Sequence, residues 1–461
     1  MSESIRHPKT LRQRDLVLFT VSAILLPDTL AAVASAGPSS IAWWLILGVL
    51  FLLPFGLISA ELGCAYPEQG GIYAWVRDAF GGRWASRVTW CYWINMTVWL
   101  SAIYILSAGM LNQIFRLNLG LGAQIAIAIA ITWATVIVNV VALRIGKWIP
   151  NLGALVKFVL FAAIILGALR YVGLHDMANA LTLDTMTPRW NEGLQYIPAI
   201  IYGMLGFELV SAGSEEMRDP ARDVPRAILY AGIAILVLYL LGTVAVLAAI
   251  PAADINLVEG LIDTLRMFFS DLAVAGPLVT TLGLATVFAI FSSGVAWALG
   301  ANRAAGEAAL ERELPAPFGI ENPRNGSPIG AALLMGISAS SMLLLYGVLA
   351  GSNEDLFWSL FAFSAVLFLL PYVGMVLAFL RLRRKDPTHP RPFRVPGGPL
   401  AAHGAAWLCI GILSIAIVLF MYTPGSGAEW AVIAGVIAQL ALGEVLIRWG
   451  EQHGEALAAD I

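Results

Sequence analysis

Charge is scarce in this chain. Asp, Glu, Lys and Arg together make up 12% of its 461 residues, while 59% are hydrophobic. With a mean hydropathy of +0.80, there is too little polar surface to cover a water-soluble globule of this length. Cysteine is rare as well: Cys64, Cys91 and Cys409 are too few and too scattered for a disulfide framework or a cysteine metal site. The five histidines make no H-x-x-x-H pair, and no G-x-x-x-x-G-K-[ST] phosphate loop occurs. These absences count against a metal centre, a bound cofactor and ATP-driven work by this chain alone. No His-rich, Ser-Lys or paired-acid constellation points to an enzyme. A net charge of −3 names no partner, neither nucleic acid nor a required protein.

What the chain has is long uncharged runs. Leu121–Leu143, Ala227–Ala253, Leu272–Asn302, Asn325–Asn353 and Leu356–Leu380 contain no Asp, Glu, Lys or Arg. Each is long enough to cross ~30 Å of hydrocarbon at ~1.5 Å per residue. With shorter or singly charged runs added, twelve candidate spans lie near 16–36, 41–60, 88–115, 121–143, 148–169, 193–214, 227–250, 275–300, 328–349, 356–380, 403–422 and 430–447. With the N-terminus inside, 22 of the 27 Lys and Arg fall in cytoplasmic segments and four (Arg116, Arg170, Arg189, Arg266) in outer loops. That asymmetry predicts cytoplasmic termini and supports the span count. A competing reading takes Leu16–Leu26 and the following "AVASA" as a signal peptide.

Three charges interrupt the apolar spans: Asp28, Lys157 and Glu208. Each costs at least ~2.5–3.5 kcal/mol at mid-depth, so such groups are rare and face protein or water. Two of them sit beside helix breakers. Span 1 reads "SAILLPDTLAAVASAG", where Pro27 removes a backbone donor. Span 6 reads "YGMLGFE", where Gly203 and Gly206 each cost ~1 kcal/mol relative to Ala in a helix. A break in the first of five spans, matched in the sixth of ten, is the pattern of an inverted-repeat transporter and counts against removal of span 1. Unwound backbone at membrane depth needs burial in protein or a wet cavity. The plainer reading is that Pro and Gly are common in membrane helices, with Glu208 a structural carboxyl bonded to a neighbour.

Four stretches resemble the amino acid–polyamine–organocation (APC) transporters, in the family's order. They are "YPEQGGIYAWVRDAFGGRW" (66–84), "GFELVSAGSEEMRDPARDVPRAI" (206–228), "GANRAAGEAALERELPAPFGIENPRNGSPIGA" (300–331) and "DPTHPRPFRVPGGP" (386–399). Within that superfamily "AELGCAYPEQGGIYAWV" is most similar to the glutamate/GABA-antiporter-like branch. The resemblance implies an all-α membrane protein of twelve transmembrane helices with the leucine-transporter fold. Its parts would be a cytoplasmic tail (1–15), a first repeat of five spans (16–172), a second inverted repeat (191–385), spans 11–12 (400–448) and a second cytoplasmic tail (449–461). It implies secondary transport of an amino acid or a derived amine through the cell membrane, independent of sodium, by proton symport or exchange. A polyamine or organic-cation carrier on the same fold is the alternative within the family; a channel or an embedded enzyme is the alternative outside it.

Carried over residue by residue, the resemblance places Tyr202, Gly203, Phe207 and Glu208 on the span 6 break. Phe207 would be an aromatic gate, and Glu208 a proton-coupling group. Lys157 matches a family lysine whose ammonium stands where sodium-coupled relatives hold an ion, with Ser292 and Ser293 as its span 8 partners. The plainer reading of Lys157 is a lysine snorkelling to the interface. The chain departs from the family in span 1, where "AILLPDTLAA" replaces a Gly-Ser-Gly-like carboxylate grip and brings an acid. Two readings of Asp28 stand: it holds a substrate ammonium, or it pairs with Lys157. Asn95, Trp99 and Trp297 are further candidates for the cavity wall. The expected partners are a small amino acid or amine, protons and the bilayer.

Overall fold

The computed structural model of the chain describes residues 13–67, 71–141, 148–188, 192–207, 220–323, 326–425 and 427–459. It is mostly helical. Helices α1 (Gln13–Ile24) and α2 (Leu30–Ser35) are followed by α3 (Ser39–Ala65), which contains one π-helical turn at Gly48–Leu52. Next come α4 (Ile72–Phe80), α5 (Gly82–Phe115), α6 (Leu121–Val141) and α7 (Trp148–Val172). The second half holds α8 (Pro198–Tyr202), α9 (Pro220–Ala249), α10 (Gly260–Phe269), α11 (Ala275–Leu310) and α12 (Ile329–Leu349). It closes with α13 (Asn353–Lys385), α14 (Gly398–Met421) and α15 (Trp430–Ala459). A two-stranded antiparallel ribbon, β1 (Tyr422–Thr423) and β2 (Gly427–Ala428), joins the last two helices.

Ten of these helices, α3, α5 to α7, α9 and α11 to α15, are long and apolar enough to cross a membrane. The segments expected as spans 1 and 6 are absent from that group because each stops partway. Helix α1 ends at Ile24 and α2 begins only at Leu30, on either side of Pro27. Helix α8 ends at Tyr202, and its chain turns through Gly206 at φ +110°, a conformation that glycine adopts without strain.

Burial sorts the helices into inner and outer sets. The membrane-crossing stretch of α5 is 94% buried and that of α13 is 78%, whereas those of α14 and α15 are 28%. Helices α5 and α13 therefore form the centre, and the last two present most of their apolar surface outward. Each end of α13 suits the helix dipole. Ser352 Oγ accepts the Asp355 N–H at 3.0 Å, Glu354 and Asp355 fill the first turn, and Arg383, Arg384 and Lys385 fill the last.

At that basic end, one buried carboxylate ties three segments together. Glu61 of α3 accepts Arg383 Nε at 2.8 Å and the Val395 N–H at 2.7 Å, with Arg391 Nε at 3.6 Å.

Candidate functional site

The site is built from the gap between α1 and α2. An α-helix leaves its last four carbonyls without intrahelical partners, and at the end of α1 each of the four finds one. Val21 O accepts the Leu25 N–H at 2.8 Å. Ser22 O accepts the Lys157 ammonium at 2.7 Å, from α7. Ala23 O accepts Trp297 Nε1–H at 3.3 Å, from α11. Ile24 O accepts the Tyr239 hydroxyl at 2.9 Å, from α9, and the Tyr239 hydroxyl oxygen in turn accepts the Leu26 N–H at 2.9 Å. Three neighbouring helices thus replace the helical bonds that Pro27 prevents. A cation at this position also answers the partial negative charge of a helix C-terminus.

Beyond this cap lies Asp28, only 3% exposed. Trp99 Nε1–H of α5 donates to its Oδ2 at 3.4 Å, and its Oδ1 is buried without a hydrogen-bond partner. The carboxylate lines a central cavity of about 20 Å³, together with Thr29, Met96, Trp99, Tyr202, Trp297 and Phe368. The aromatic members touch one another. The Phe368 ring lies 5.2 Å from Tyr202 and 6.4 Å from Trp297 between centroids. A volume of this size holds about one water molecule.

Of the residues singled out in the sequence, Asp28, Trp99, Tyr202, Gly203 and Trp297 come together around this cavity. Gly203 closes the α8 end of it, with its N–H on Ala199 O at 3.0 Å. Lys157 lies behind the α1 cap. Its hydrogen bond goes to Ser22, and among the described residues it forms no ion pair with Asp28, although each lies in the other's electrostatic field. Ser292 donates to Ile149 O at 2.8 Å, joining α11 to α7, and Ser293 donates to Ala289 O of its own helix at 2.8 Å. The α7–α11 contact is close enough that a Cβ on Gly153 would collide with Ser292.

Phe207 is fully buried elsewhere, in a crevice between α3 and α9, facing Gly232 and Leu52. Asn95 is buried with both amide atoms unpartnered, one residue before Met96 of the cavity wall. Glu208 lies outside the described residues.

The sequence reading missed Tyr239, Met96 and Phe368. Tyr239 carried a usable signal: it stands inside the uncharged run 227–253, and a tyrosine hydroxyl buried there needs a partner. Phe368 is one of five phenylalanines in α13, which also holds eight leucines, and nothing in the sequence sets it apart from them.

The arrangement does one thing chemically. A buried carboxylate with a free oxygen, walled by aromatic faces, attracts a cation from two directions. Among the described residues, no group of three His, Cys, Asp or Glu side chains is placed to hold a metal ion.

Comparison with known proteins agrees in kind. Residues 11–442 match the family described as amino acid permease. A probable agmatine/putrescine antiporter of Lactococcus lactis is 32% identical over 440 residues, covering 94% of this chain and 93% of the relative. A polyamine transporter of Oryza sativa is 27% identical over 89% of this chain and 74% of its own length. A glutamate/gamma-aminobutyrate antiporter of Lactococcus lactis is 22% identical, over 84% and 80%.

Proposed function

This chain belongs to the amino acid permease family of the APC superfamily, and from that premise we propose that it carries a cationic amine or a cationic amino acid, held at Asp28. The protein is a multi-pass membrane transporter of an amino acid or amine, not an enzyme. The observation that carries the finer reading is Asp28 itself. A desolvated carboxylate with one unpartnered oxygen, among Trp99, Tyr202, Trp297 and Phe368, needs a positive partner, and the nearest fixed cation is committed to Ser22. The names of the agmatine/putrescine and polyamine relatives favour the same substrate class.

A cavity of about 20 Å³ is too small for a diamine, so the broken segments move apart to admit substrate. In this reading the chain has twelve spans in a 5+5 inverted repeat, with the interrupted α1–α2 and α8 segments as spans 1 and 6. It works by alternating access as an exchanger or proton symporter in the cell membrane, with both termini cytoplasmic. The Lys157 ammonium does the work of a coupling cation at the α1 cap, so transport is sodium-independent. Ser292 supports Lys157 by fixing α11 against the start of α7, and Glu208 is the proton-coupling carboxyl. Phe207 faces the α3–α9 crevice, where a gate would act on helix movement rather than on substrate.

Liposomes loaded with unlabelled agmatine, putrescine, arginine or glutamate test this by counterflow of the labelled solute. Saturable, trans-stimulated flux of the cationic solutes supports it. Flux of glutamate alone, or flux that does not saturate, overturns it.

A further inference from the structure

A larger hollow lies away from the central cavity, toward the basic end of α13. It is an apolar slot of about 550 Å³ between α4, the start of α5, α13 and α15. Val76, Val88, Pro371, Gly374, Leu440 and Ile447 form its walls. Its size falls inside the range of roughly 300–1,000 Å³ typical of ligand sites. A second recess of about 450 Å³ adjoins it, sharing Phe80 and Leu377, and is lined by Arg381, Arg384, Lys385 and Trp407. The slot runs along the membrane-crossing lengths of α5, α13 and α15, and the basic recess sits where α13 ends.

Charge separates the two ends of this hollow. On the α15 side, Glu444 accepts Arg87 Nε at 3.0 Å and Arg83 at 2.5 Å, and Glu451 stands 4.0 Å from Arg83, so those cations are paired with carboxylates. Arg381, Arg384 and Lys385 form no ion pair among the described residues. Arg381 Nε donates to Ala79 O at 2.7 Å and Lys385 Nζ to Asp78 O at 2.7 Å, at the C-terminal end of α4. Those bonds fix the two side chains and use one donor from each; a guanidinium has five and an ammonium three. Arg384 is exposed. Trp84 and Trp407 flank the hollow, 54% and 59% exposed, as tryptophans do at the headgroup level of a bilayer.

We infer that slot and recess together bind one anionic phospholipid, with an acyl chain in the slot and the phosphodiester among the three cations. The apolar walls reward burial of a hydrocarbon chain. The cluster of cations at one membrane face rewards an anionic headgroup, and an arginine fork matches phosphate geometry. A zwitterionic lipid would fill the slot and leave the cluster uncompensated, and free phosphate would meet only the recess. The seated chain lies against Pro371 and Gly374, on the helix that carries Phe368 into the substrate cavity, so the lipid braces α13 against α4 and α5.

The test is thermal unfolding of the full-length protein in detergent, titrated with phosphatidylglycerol, phosphatidylcholine or inorganic phosphate. Stabilisation by phosphatidylglycerol at concentrations where the other two do nothing is the expected result. Gly374→Leu fills the slot, since its Cβ would stand 3.7 Å from Val76 Cγ2, an ordinary contact; it should abolish the response. Arg384→Gln with Lys385→Gln should weaken the phosphatidylglycerol response about thirty-fold, at ~1 kcal/mol for each basic residue removed. The phosphatidylcholine response should not change. Equal responses to the two lipids, a response to phosphate alone, or a charge variant that responds as the parent does would overturn the assignment. Should Gly374→Leu fail to fold, the charge variant decides alone.

Discussion

The Tyr239 hydroxyl donates to the Ile24 carbonyl at 2.9 Å, joining two residues 215 positions apart at the gap between α1 and α2. The hydroxyl oxygen in turn receives the Leu26 N–H, so one side chain serves both sides of the break. Tyr239→Phe leaves a carbonyl and an amide buried without partners. Each costs about 1–3 kcal/mol. A lower unfolding temperature in detergent, with the ring stacking on Trp44 at 5.1 Å intact, is the expected outcome. A variant as stable as the parent would show that the break is held by other means.

Lys157 is the second support of the break. Its ammonium donates to Ser22 O at 2.7 Å, and on the proposal that it stands in for a coupling cation, uptake should be equal in sodium and choline media. Lys157→Ala should be nearly inactive in both. Strict dependence of the parent on sodium would remove this role from the lysine.

The proposal that Glu208 is the proton-coupling carboxyl separates coupling from binding. Glu208→Gln should bind substrate with the parent's affinity while its transport loses dependence on pH. An unaltered pH profile would make Glu208 a structural group.

The Glu61 cluster predicts a stability effect far from the substrate. Glu61→Gln removes the charge that Arg383 and Arg391 share, and breaking one partner out of a buried pair costs about 3–5 kcal/mol. Arg383 is 15% exposed and Gln still accepts one bond, so the loss should fall near the lower end. Adding Arg383→Gln should cost less than the sum of the two single changes, because the residues share one network.

The cavity was legible in the sequence where its residues are expensive. Asp28 costs free energy in a bilayer unless it faces protein or a polar space, and Gly203 costs free energy in a helix, whereas the sequence did not record which helical face Trp99 and Trp297 present. The cap on α1 was only half legible. Lys157 announced itself by its charge, while Tyr239 blended into an apolar run and showed its purpose only through two bonds. Phe207 shows the limit of reading direction across a break. Gly206 at φ +110° interrupts the helical turn, so periodicity no longer says which way the next side chain points. Tyr202 faces the cavity and Phe207, five positions on, faces another crevice. Which of the similar rings on α13 reaches the cavity depends on how that helix is rotated, and a uniformly apolar helix does not record this.

Recognition of a cation by Asp28 is the central claim, and one comparison tests it most directly: counterflow of labelled agmatine or putrescine into loaded liposomes by the parent and by Asp28→Asn. Truncating one member of a buried charge pair costs about 2–5 kcal/mol. The apparent affinity for the amine should therefore fall by more than tenfold, while the variant folds and inserts normally, since losing the charge removes a desolvation cost. An Asp28→Asn protein that is stable and carries the amine with unaltered affinity would contradict the account.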